Sequence, residues 1–395
     1  MRQRTQVGII GAGPAGLTLA GVLRQAGIDV VVVEKYDRER VEARARAGAI
    51  EHRVVRFLAR HGLADRMLRE GTPHGRCEFR YDGLRFSVPY AELSGGCHHY
   101  VYPQQFLVRD LADAFLAAGG DLRYSRPAVA VDPERAVIRV RAAEDGDGGS
   151  GEEYELECDF VAACDGFHGV SRRSVPAGRL RTHERRHGVG WLAVLAQAPP
   201  STEEIIYALH EDGFAGHMLR TSEISRFYLQ CPPGDTPAAW SEDRIWTALE
   251  QRLAADGWKL TTGPVTEKAV LDMRSVVSER MDHGRMFLVG DAAHIITPAG
   301  GKGMNLALGD AEELAAALVD HYRGEDTRLA AYSATRVPRI WQAQEFSHWL
   351  LGITHRPEDE SPDDLFPHRL RTARLAQLRD SVGLATWFAR SYVGA

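Results

Sequence analysis

Residues 6–34 read QVGIIGAGPAGLTLAGVLRQAGIDVVVVE, and this stretch decides the fold of the first part of the chain. A short apolar run, residues 6–10, leads into a glycine-rich turn. Residues 17–26 carry apolar side chains at helical spacing, and Gly27 is placed to end that helix. Residues 28–33 are almost wholly apolar, as expected for a parallel strand covered on both faces. The pattern predicts a βαβ unit.

The turn between the first strand and the helix has the spacing GxGxxG, with glycines at Gly11, Gly13 and Gly16. Such glycines allow a tight turn and let the backbone approach a pyrophosphate, which the free N–H groups of the helix N-terminus then bind. Glu34 follows the second strand, where a carboxylate can accept hydrogen bonds from ribose hydroxyls. Strand, turn, helix, strand and acid in this order predict a dinucleotide site.

Composition excludes several classes of protein. The chain has 395 residues, with 48 basic and 54 acidic side chains, so its net charge of −6 argues against nucleic-acid binding. No apolar run approaches the roughly 18 to 20 residues that a membrane span needs. The five cysteines are scattered and form no CxxC pair, so we expect neither a disulfide framework nor a metal site. These features predict a reduced, cytoplasmic protein.

The chain divides by pattern into three regions. Residues 1–181 contain the βαβ unit, and residues 182–273 contain strand-like runs separated by turns, which predict an antiparallel or mixed sheet. Residues 274–395 contain one more apolar strand, which we expect to return to the first sheet, and then a helical C-terminal region. The expected fold class is α/β with mixed α+β character: a Rossmann-like dinucleotide domain and a second, substrate-binding domain.

Two further segments each follow an apolar strand. The first is Cys164-Asp165-Gly166, and the second begins at Gly290-Asp291 and continues to Gly303-Met304-Asn305. With the glycine turn, these segments resemble the motifs of the single-component flavin-dependent aromatic hydroxylases, in the same order. The resemblance implies that the dinucleotide is FAD, that the first segment, which contains the FAD-binding Asp165, serves both FAD and NADPH, and that Asp291 holds the ribityl chain.

The resemblance covers nearly the whole chain and is greatest to the family members that hydroxylate 4-hydroxybenzoate. It implies further contacts to FAD by residues of three loops, namely Arg44, Arg46, Gln104, Gly300, Lys302, Gly303, Met304 and Asn305. Independently of the resemblance, the first turn of the helix that starts near Met304 can stabilise negative charge on a reduced flavin through its free N–H groups.

The same resemblance implies a substrate pocket. Its residues are Tyr207, Met218, Arg220, Arg226, Tyr228, Pro298 and Tyr392. A planar guanidinium such as that of Arg220 suits a benzoate carboxylate. Tyr207 is suited to accept the proton of a substrate phenol and to pass it through Tyr392 towards His74, which we expect at the solvent end of the relay. The implied catalytic residues are therefore Tyr207, Tyr392, His74 and Pro298.

One position departs from the family pattern. Met218 stands where those family members carry a serine that helps to bind the substrate carboxylate, and methionine has no hydroxyl to donate. Gly216 also replaces a bulkier apolar residue. We therefore expect a less polar and roomier carboxylate end, and the substrate is either 4-hydroxybenzoate or a relative such as 4-aminobenzoate or a ring-substituted 4-hydroxybenzoate.

The reaction that the resemblance implies is reduction of FAD by NAD(P)H, followed by oxygen addition as a C4a-hydroperoxyflavin and hydroxylation ortho to the activating group. The chain has no second GxGxxG unit, so we expect the nicotinamide coenzyme, with NADPH favoured over NADH, to bind in a surface cleft near Lys35, Arg46, His168 and Arg274. A homodimer is implied as well. Three alternatives remain: a flavin halogenase, whose WxWxIP element is absent, a reductase or dehydrogenase without oxygen chemistry, and a non-enzymatic flavin-binding protein.

Overall fold

The computed structural model of the chain describes residues 2–43, 48–142, 152–357, 360–361 and 364–394. Its strands are β1 (Arg2–Ile10), β2 (Val30–Val33), β3 (Ala49–Glu51), β4 (Thr72–His74), β5 (Cys77–Tyr81), β6 (Leu84–Val88), β7 (His99–Val101), β8 (Asp121–Arg123), β9 (Ala128–Asp132), β10 (Val137–Arg141), β11 (Glu153–Ala163), β12 (Thr182–Ala196), β13 (Ile205–Leu209), β14 (Ala215–Leu219), β15 (Ser225–Cys231), β16 (Val265–Ser278), β17 (Asp282–His283), β18 (Met286–Leu288) and β19 (His294–Ile295). The α-helices are α1 (Pro14–Gln25), α2 (Arg38–Glu42), α3 (His52–Arg60), α4 (Asp65–Glu70), α5 (Tyr90–Leu93), α6 (Gln104–Ala117), α7 (Val170–Ser174), α8 (Glu242–Arg252), α9 (Lys302–His321), α10 (Thr327–Ala330), α11 (Tyr332–Thr354), α12 (Leu365–Asp380) and α13 (Val382–Val393).

The first sheet confirms the predicted βαβ unit. Its strand order is β17-β18-β11-β1-β2-β8, with β1 parallel to both β2 and β11, and the β9–β10 hairpin attached to β11. The predicted late strand, β18, pairs in parallel with β11. Every residue of β2 is buried, which explains its uninterrupted run of valines. The ends of β1, β2, β11 and β18 therefore meet at one edge of the sheet, which carries the glycine turn after β1 and the acids Glu34, Asp165 and Asp291 after the other three strands.

The second sheet has the order β19-β16-β12-β15-β14-β13-β5-β6. It is mixed, because β13 runs parallel to β5 while the other strand pairs of this sheet are antiparallel. A mixed sheet was expected here, but strands β5 and β6 come from residues 77–88, far outside the region 182–273. The domain boundaries at 181 and 273 therefore stay a prediction. Local sequence pattern carries no information on which distant strand completes a sheet edge.

The C-terminal region is helical, as expected, and covers one face of the second sheet. Helices α11, α12 and α13 contribute Phe346, Leu375, Phe388 and Tyr392 to a core that includes Tyr207 and Tyr228 of that sheet. The opposite face packs on α8. A search of the described helices finds none with the length and apolar character that crossing a bilayer requires.

Candidate active site

The glycine turn fits a bound dinucleotide phosphate. Gly11 has φ of +105°, a conformation that favours glycine, and a Cβ on Gly16 would lie 2.1 Å from the Gly11 carbonyl oxygen. A Cβ on Gly13 would meet no atom within 4 Å, so open space remains in front of the N-terminus of α1, which begins at Pro14. The three glycines thus combine a tight turn, close packing and an accessible helix end, as their spacing predicted.

Two carboxylates flank this turn, at the ends of β2 and β11, the strands on either side of β1. Glu34 is buried, and its oxygens accept hydrogen bonds from the backbone N–H groups of Ala12, at 2.8 Å, and Tyr36, at 3.0 Å. Asp165 accepts from the backbone N–H of Ser171, at 3.0 Å, and from its hydroxyl, at 2.9 Å. The other oxygen of Asp165 is buried without a partner in the described structure, and burial raises the pKa of this carboxyl. An unsatisfied acceptor beside the turn suits the hydroxyl-rich part of FAD.

The third predicted segment lies on the same edge. Asp291 follows β18 and is exposed, while Gly300 and Gly301 both have positive φ, +81° and +66°, directly before α9. The Asn305 side chain donates to the carbonyl oxygens of Ala49, at 3.0 Å, and Gly301, at 2.9 Å, so it ties the start of α9 to β3. Asn305 therefore shapes the predicted flavin loop through the backbone.

Lys302 occupies a different place from the one expected of a ligand-binding cation. Its buried ammonium donates to the Glu51 carboxylate and to the Tyr392 carbonyl oxygen, both at 2.8 Å. Its charge is therefore already neutralised inside the protein. Lys302 acts on a bound flavin indirectly, because it holds the N-terminus of α9 in place. Gly303 and Met304 follow in the first turn, half-buried, where their backbone N–H groups have no partner within the helix.

The structure describes only one of the three other predicted FAD residues. Arg44 and Arg46 lie outside the described residues. Gln104 is the first residue of α6 and is half-buried. The roles of these three residues stay predictions.

The substrate-pocket residues of the second sheet share one face. Tyr207 of β13, Gly216 of β14 and Tyr228 of β15 lie opposite one another in a single row across three strands. Met218 lies opposite Arg226 in the next row. Because side chains alternate between faces, residues two apart point the same way, and the two tyrosines belong to the core covered by the C-terminal helices. The fold thus brings these predicted residues together.

A hydroxyl pair joins this sheet to the C-terminal helix. The phenol oxygens of Tyr207 and Tyr392 are 2.8 Å apart, in hydrogen-bond contact, and both rings are buried. Burial raises the pKa of both phenols, so both are neutral at rest. Pro298 lies in the loop before α9, which the hydroxyl of Ser347 holds by donating to the carbonyl oxygen of Ala299 at 2.9 Å.

The prediction that His74 lies at the solvent end of a relay is wrong. Its side chain is buried, with only 5% exposed, and its Nε2 is 2.8 Å from the Glu203 carbonyl oxygen. Its Nδ1 is 2.7 Å from the hydroxyl of Tyr90. Burial lowers the pKa of His74, against the smaller opposing effects of the Glu203 carbonyl and the Glu204 charge. His74 is therefore an internal group that contacts another tyrosine.

The carboxylate end of the pocket is cationic. Arg220 is buried and donates to the amide oxygen of Gln105 at 3.1 Å. Burial and the neighbouring Arg226 lower the pKa of Arg220 to about 10, and the Nε of Arg226 is itself buried without a partner in the described structure. This pair of guanidiniums suits an incoming anion.

The expected extra room at Gly216 is partly occupied. A Cβ on Gly216 would lie 2.9 Å from the ring of Phe214, which stacks on Trp191 and His355 with ring centroids 5.0 and 4.2 Å away. The loss of a side chain at position 216 is thus compensated by a neighbouring aromatic ring. Sequence comparison at one position could not show this, because the rings that stack on Phe214, those of Trp191 and His355, come from distant parts of the chain.

Two of the four predicted coenzyme residues, His168 and Arg274, lie against Phe167, and Arg46 lies outside the described residues. The Arg274 guanidinium lies 4.5 Å from the Phe167 ring centroid, and the ring of His168 lies 5.1 Å from it. Lys35 is exposed, and its charge lowers the pKa of Asp165, although the larger effect of burial still raises it. Their binding of a nicotinamide coenzyme stays a prediction.

Four residues of the site were missed by the sequence reasoning. Tyr90, His99 and Gln105 contact the predicted residues His74, Tyr392 and Arg220, respectively. Asp310 accepts hydrogen bonds from the Gly290 N–H and the Arg336 guanidinium and pairs with His294. Asp310 thereby fixes the turn that carries Asp291. A lone acid on the apolar face of α9 was a visible signal for Asp310, whereas the other three had none.

Comparison with known proteins identifies the family. Residues 4–347 match the model of the family described as "FAD binding domain". The chain is 39% identical to the p-hydroxybenzoate hydroxylase of Acinetobacter baylyi, over 99% of this chain and 95% of that protein. It is 29% identical to a rifampicin monooxygenase of Streptomyces venezuelae, over 84% of this chain and 67% of that protein.

The fold is also similar to that of solved structures. The p-nitrophenol 4-monooxygenase of Pseudomonas putida aligns with a TM-score of 0.80 at 18% identity, covering 99% of this chain and 98% of that one. The glycine turn, the flanking carboxylates and these relationships lead to one conclusion: the chain belongs to the FAD-binding family of flavin-dependent aromatic monooxygenases.

Proposed function

We propose that this enzyme hydroxylates a para-substituted benzoate at the carbon next to its activating group, using FAD, NADPH and dioxygen. 4-Hydroxybenzoate is the first candidate substrate. The observation that carries the proposal is the pocket that combines a buried cation, Arg220, with the Tyr207–Tyr392 hydroxyl pair on one sheet face. The relative named p-hydroxybenzoate hydroxylase supports it.

Arg220 is suited to bind the benzoate carboxylate. In the described structure it contacts the neutral Gln105 amide and forms no ion pair, and only the more distant charge of Glu267 opposes the effect of burial. A carboxylate that pairs with it would gain charge-assisted hydrogen bonds at a place already desolvated. The substrate's acid end is thereby oriented towards Arg220 and its para substituent away from it.

Tyr207 and Tyr392 are suited to remove the proton of the para hydroxyl. A phenolate is a stronger nucleophile than a phenol, so moving this proton activates the ring for oxygen insertion. The two hydroxyls are buried and already hydrogen-bonded, so they can accept and pass a proton without solvent entering the pocket. FAD, when bound, supplies hydride acceptance from NADPH and activation of dioxygen.

A turnover assay tests the proposal. With FAD-loaded enzyme and NADPH, we expect 4-hydroxybenzoate to stimulate NADPH oxidation and to yield one equivalent of 3,4-dihydroxybenzoate per oxygen consumed. Replacing NADPH with NADH tests the coenzyme preference. NADPH oxidation with only hydrogen peroxide and no hydroxylated product, for every para-substituted benzoate tried, would contradict the proposal and favour a reductase.

A second prediction concerns the residues that contact the substrate carboxylate. Gln105 lies against Arg220, where its amide N–H can donate to the substrate carboxylate and compensate for the hydroxyl that Met218 lacks. We expect Gln105→Leu to raise the KM for 4-hydroxybenzoate about tenfold with kcat little changed, since a hydrogen bond to a charged group contributes about 1.5 kcal/mol or more.

The control for Gln105→Leu is a second variant, Met218→Ser, measured by steady-state kinetics. Met218→Ser introduces a hydroxyl beside Arg226, and we expect it to restore most of the lost affinity in the Gln105→Leu background. The same series run with 4-aminobenzoate distinguishes the acid end from the para substituent. An unchanged KM in Gln105→Leu would show that the amide does not contact the carboxylate.

Two further predictions belong to the proposed function. We propose that the enzyme acts as a homodimer, in keeping with the frequency of symmetric dimers among enzymes, which sedimentation tests directly. We also propose a cytoplasmic location, because the five cysteines are free thiols, three of them buried.

A further inference from the structure

Helices α3, α11 and α13 line a groove with a volume of about 840 Å³. Six arginines surround it, and we call it the arginine groove: Arg53, Arg56, Arg60, Arg336, Arg339 and Arg390. The acidic side chains of its described lining are Glu51 and Glu345. In a chain whose net charge is −6, such an excess of positive charge is local and attracts anions. We propose that the arginine groove binds an organic dianion, either a dicarboxylate or a phosphate monoester.

Part of this charge is neutralised within the protein. The carboxylate of Glu312 accepts hydrogen bonds from Arg53 at 2.7 Å and from Arg60 at 3.0 Å, so one acid serves two arginines. Lys302, which also lines the groove and is buried, donates to the carboxylate of Glu51 at 2.8 Å. These two carboxylates compensate three cations, so an excess of positive charge remains even among the paired residues.

Three arginines of the groove have no carboxylate partner among the described residues. The side chains of Arg56 and Arg390 form neither a hydrogen bond nor an ion pair there, and Arg339 donates only to the neutral amide oxygen of Gln342, at 3.3 Å. All three guanidiniums belong to exposed residues, as does Glu345, the remaining acid of the lining. Its one charge compensates one arginine at most, so the others are available to a ligand.

Arg336 directs a buried charge into the groove. It is only 7% exposed, and its Nε donates to Asp310 at 2.7 Å while its Nη2 donates to the Leu306 carbonyl oxygen at 3.3 Å. Its Nη1 has no hydrogen-bond partner among the described residues and is not itself enclosed, so it is open to a ligand. A Cβ on Gly309 would lie 2.9 Å from Nη2 of both Arg336 and Arg53, so two guanidiniums from different helices meet over this glycine. An anion beside them would reduce their mutual repulsion.

The lining indicates what kind of anion fits. Guanidinium groups pair with carboxylates and phosphates, and the arginines stand on three different helices, so several charged oxygens can be bound at once. The lining also contains the apolar side chains of Leu306, Phe346 and Trp387, the last of them 36% exposed. The volume lies in the range of pockets that hold small organic molecules. A ligand with two negative charges on an apolar body suits both features, whereas an inorganic ion would use only the arginines.

The arginine groove is separate from the predicted carboxylate site. Arg220 directly follows β14 and Arg226 lies on β15, and neither residue lines the groove. A ligand of the groove therefore need not compete with a benzoate substrate. The inference does not depend on the proposed hydroxylation.

Isothermal titration calorimetry of the FAD-loaded enzyme, with 4-hydroxybenzoate in excess to fill the substrate pocket, tests the inference. The probes are adipate, a dicarboxylate, and phenyl phosphate, a phosphate monoester, at about 0.15 M salt, where weak surface attraction is largely screened. We expect at least one probe to bind with one molecule per chain. The double variant Arg56→Gln/Arg390→Gln should weaken this binding at least tenfold, because it removes two guanidiniums that lack a partner in the described structure.

The matched control is Arg369→Gln/Arg374→Gln, which removes two exposed arginines of α12 outside the groove and changes the net charge equally. We expect its affinity for the probe to stay within twofold of the wild type. Binding of neither probe, or binding no tighter than that of inorganic phosphate, would overturn the inference. Equal losses in the two double variants would also overturn it, because net charge and not the groove would then decide. An enzyme that hydroxylates no benzoate would overturn the proposed function alone, since the two variants locate the probe without turnover.

Discussion

Arg220→Met is expected to raise the KM for 4-hydroxybenzoate about 100-fold or more, since losing one partner of a buried charge pair costs about 2 to 5 kcal/mol. The guanidinium is buried and has no ion-pair partner among the described residues, so in the variant the substrate carboxylate would lose its cationic partner and remain desolvated. Because the reacting end of the ring lies away from Arg220, we expect kcat to fall much less than kcat/KM. Steady-state kinetics and substrate titration of the flavin absorbance measure the two effects separately.

Arg220→Lys is the matched control for this variant. Lysine keeps the charge but not the planar fork of donors, so we expect an intermediate loss of affinity. 4-Hydroxybenzamide, which lacks the negative charge, should discriminate far less between the wild type and Arg220→Met. Equal KM values for 4-hydroxybenzoate in the wild type and Arg220→Met would exclude Arg220 from the carboxylate site.

Tyr207→Phe is expected to lower the hydroxylation rate by about 100-fold or more, as for the loss of a positioned acid–base group. The variant keeps the ring, which stacks on Phe79 with centroids 5.5 Å apart, so substrate and FAD should still bind. It removes the hydroxyl that contacts Tyr392 at 2.8 Å and so interrupts proton removal at its first step. Single-turnover measurement of product formation is the direct test.

The pH dependence provides the check on this prediction. A bound phenol that cannot use the relay ionises only as the pH approaches its own pKa, so the defect of Tyr207→Phe should shrink as the pH rises. Uncoupled NADPH oxidation should continue, with hydrogen peroxide replacing hydroxylated product. A variant that hydroxylates at the wild-type rate at neutral pH would remove Tyr207 from the relay.

Much of the first sheet and its site followed from local pattern. The turn at Gly11, Gly13 and Gly16 requires particular backbone conformations within six residues, and such requirements are written directly into the residue types. The shared face of Tyr207 and its neighbours on β14 and β15 followed from the alternation of side chains along strands once the family resemblance had singled them out.

The remainder depended on contacts between distant segments. Lys302 was expected to serve the cofactor directly, but Glu51, about 250 residues earlier, neutralises its charge. His74 was expected at the surface, yet Tyr90 and Glu203 enclose it. Neither partner has a spacing or motif that links it to these residues in the sequence.

The sequence by itself determined the class of fold, the dinucleotide turn and the chemistry of the individual pocket residues, because these depend on backbone conformation and on side-chain type over short stretches. Only the tertiary structure decided that β5 and β6 complete the second sheet, that Trp191 and His355 stack on the Phe214 ring beside Gly216, and that Tyr90 contacts both His74 and Tyr392. Each of these is a meeting of segments far apart in the chain, which packing of the whole molecule selects and local pattern does not encode.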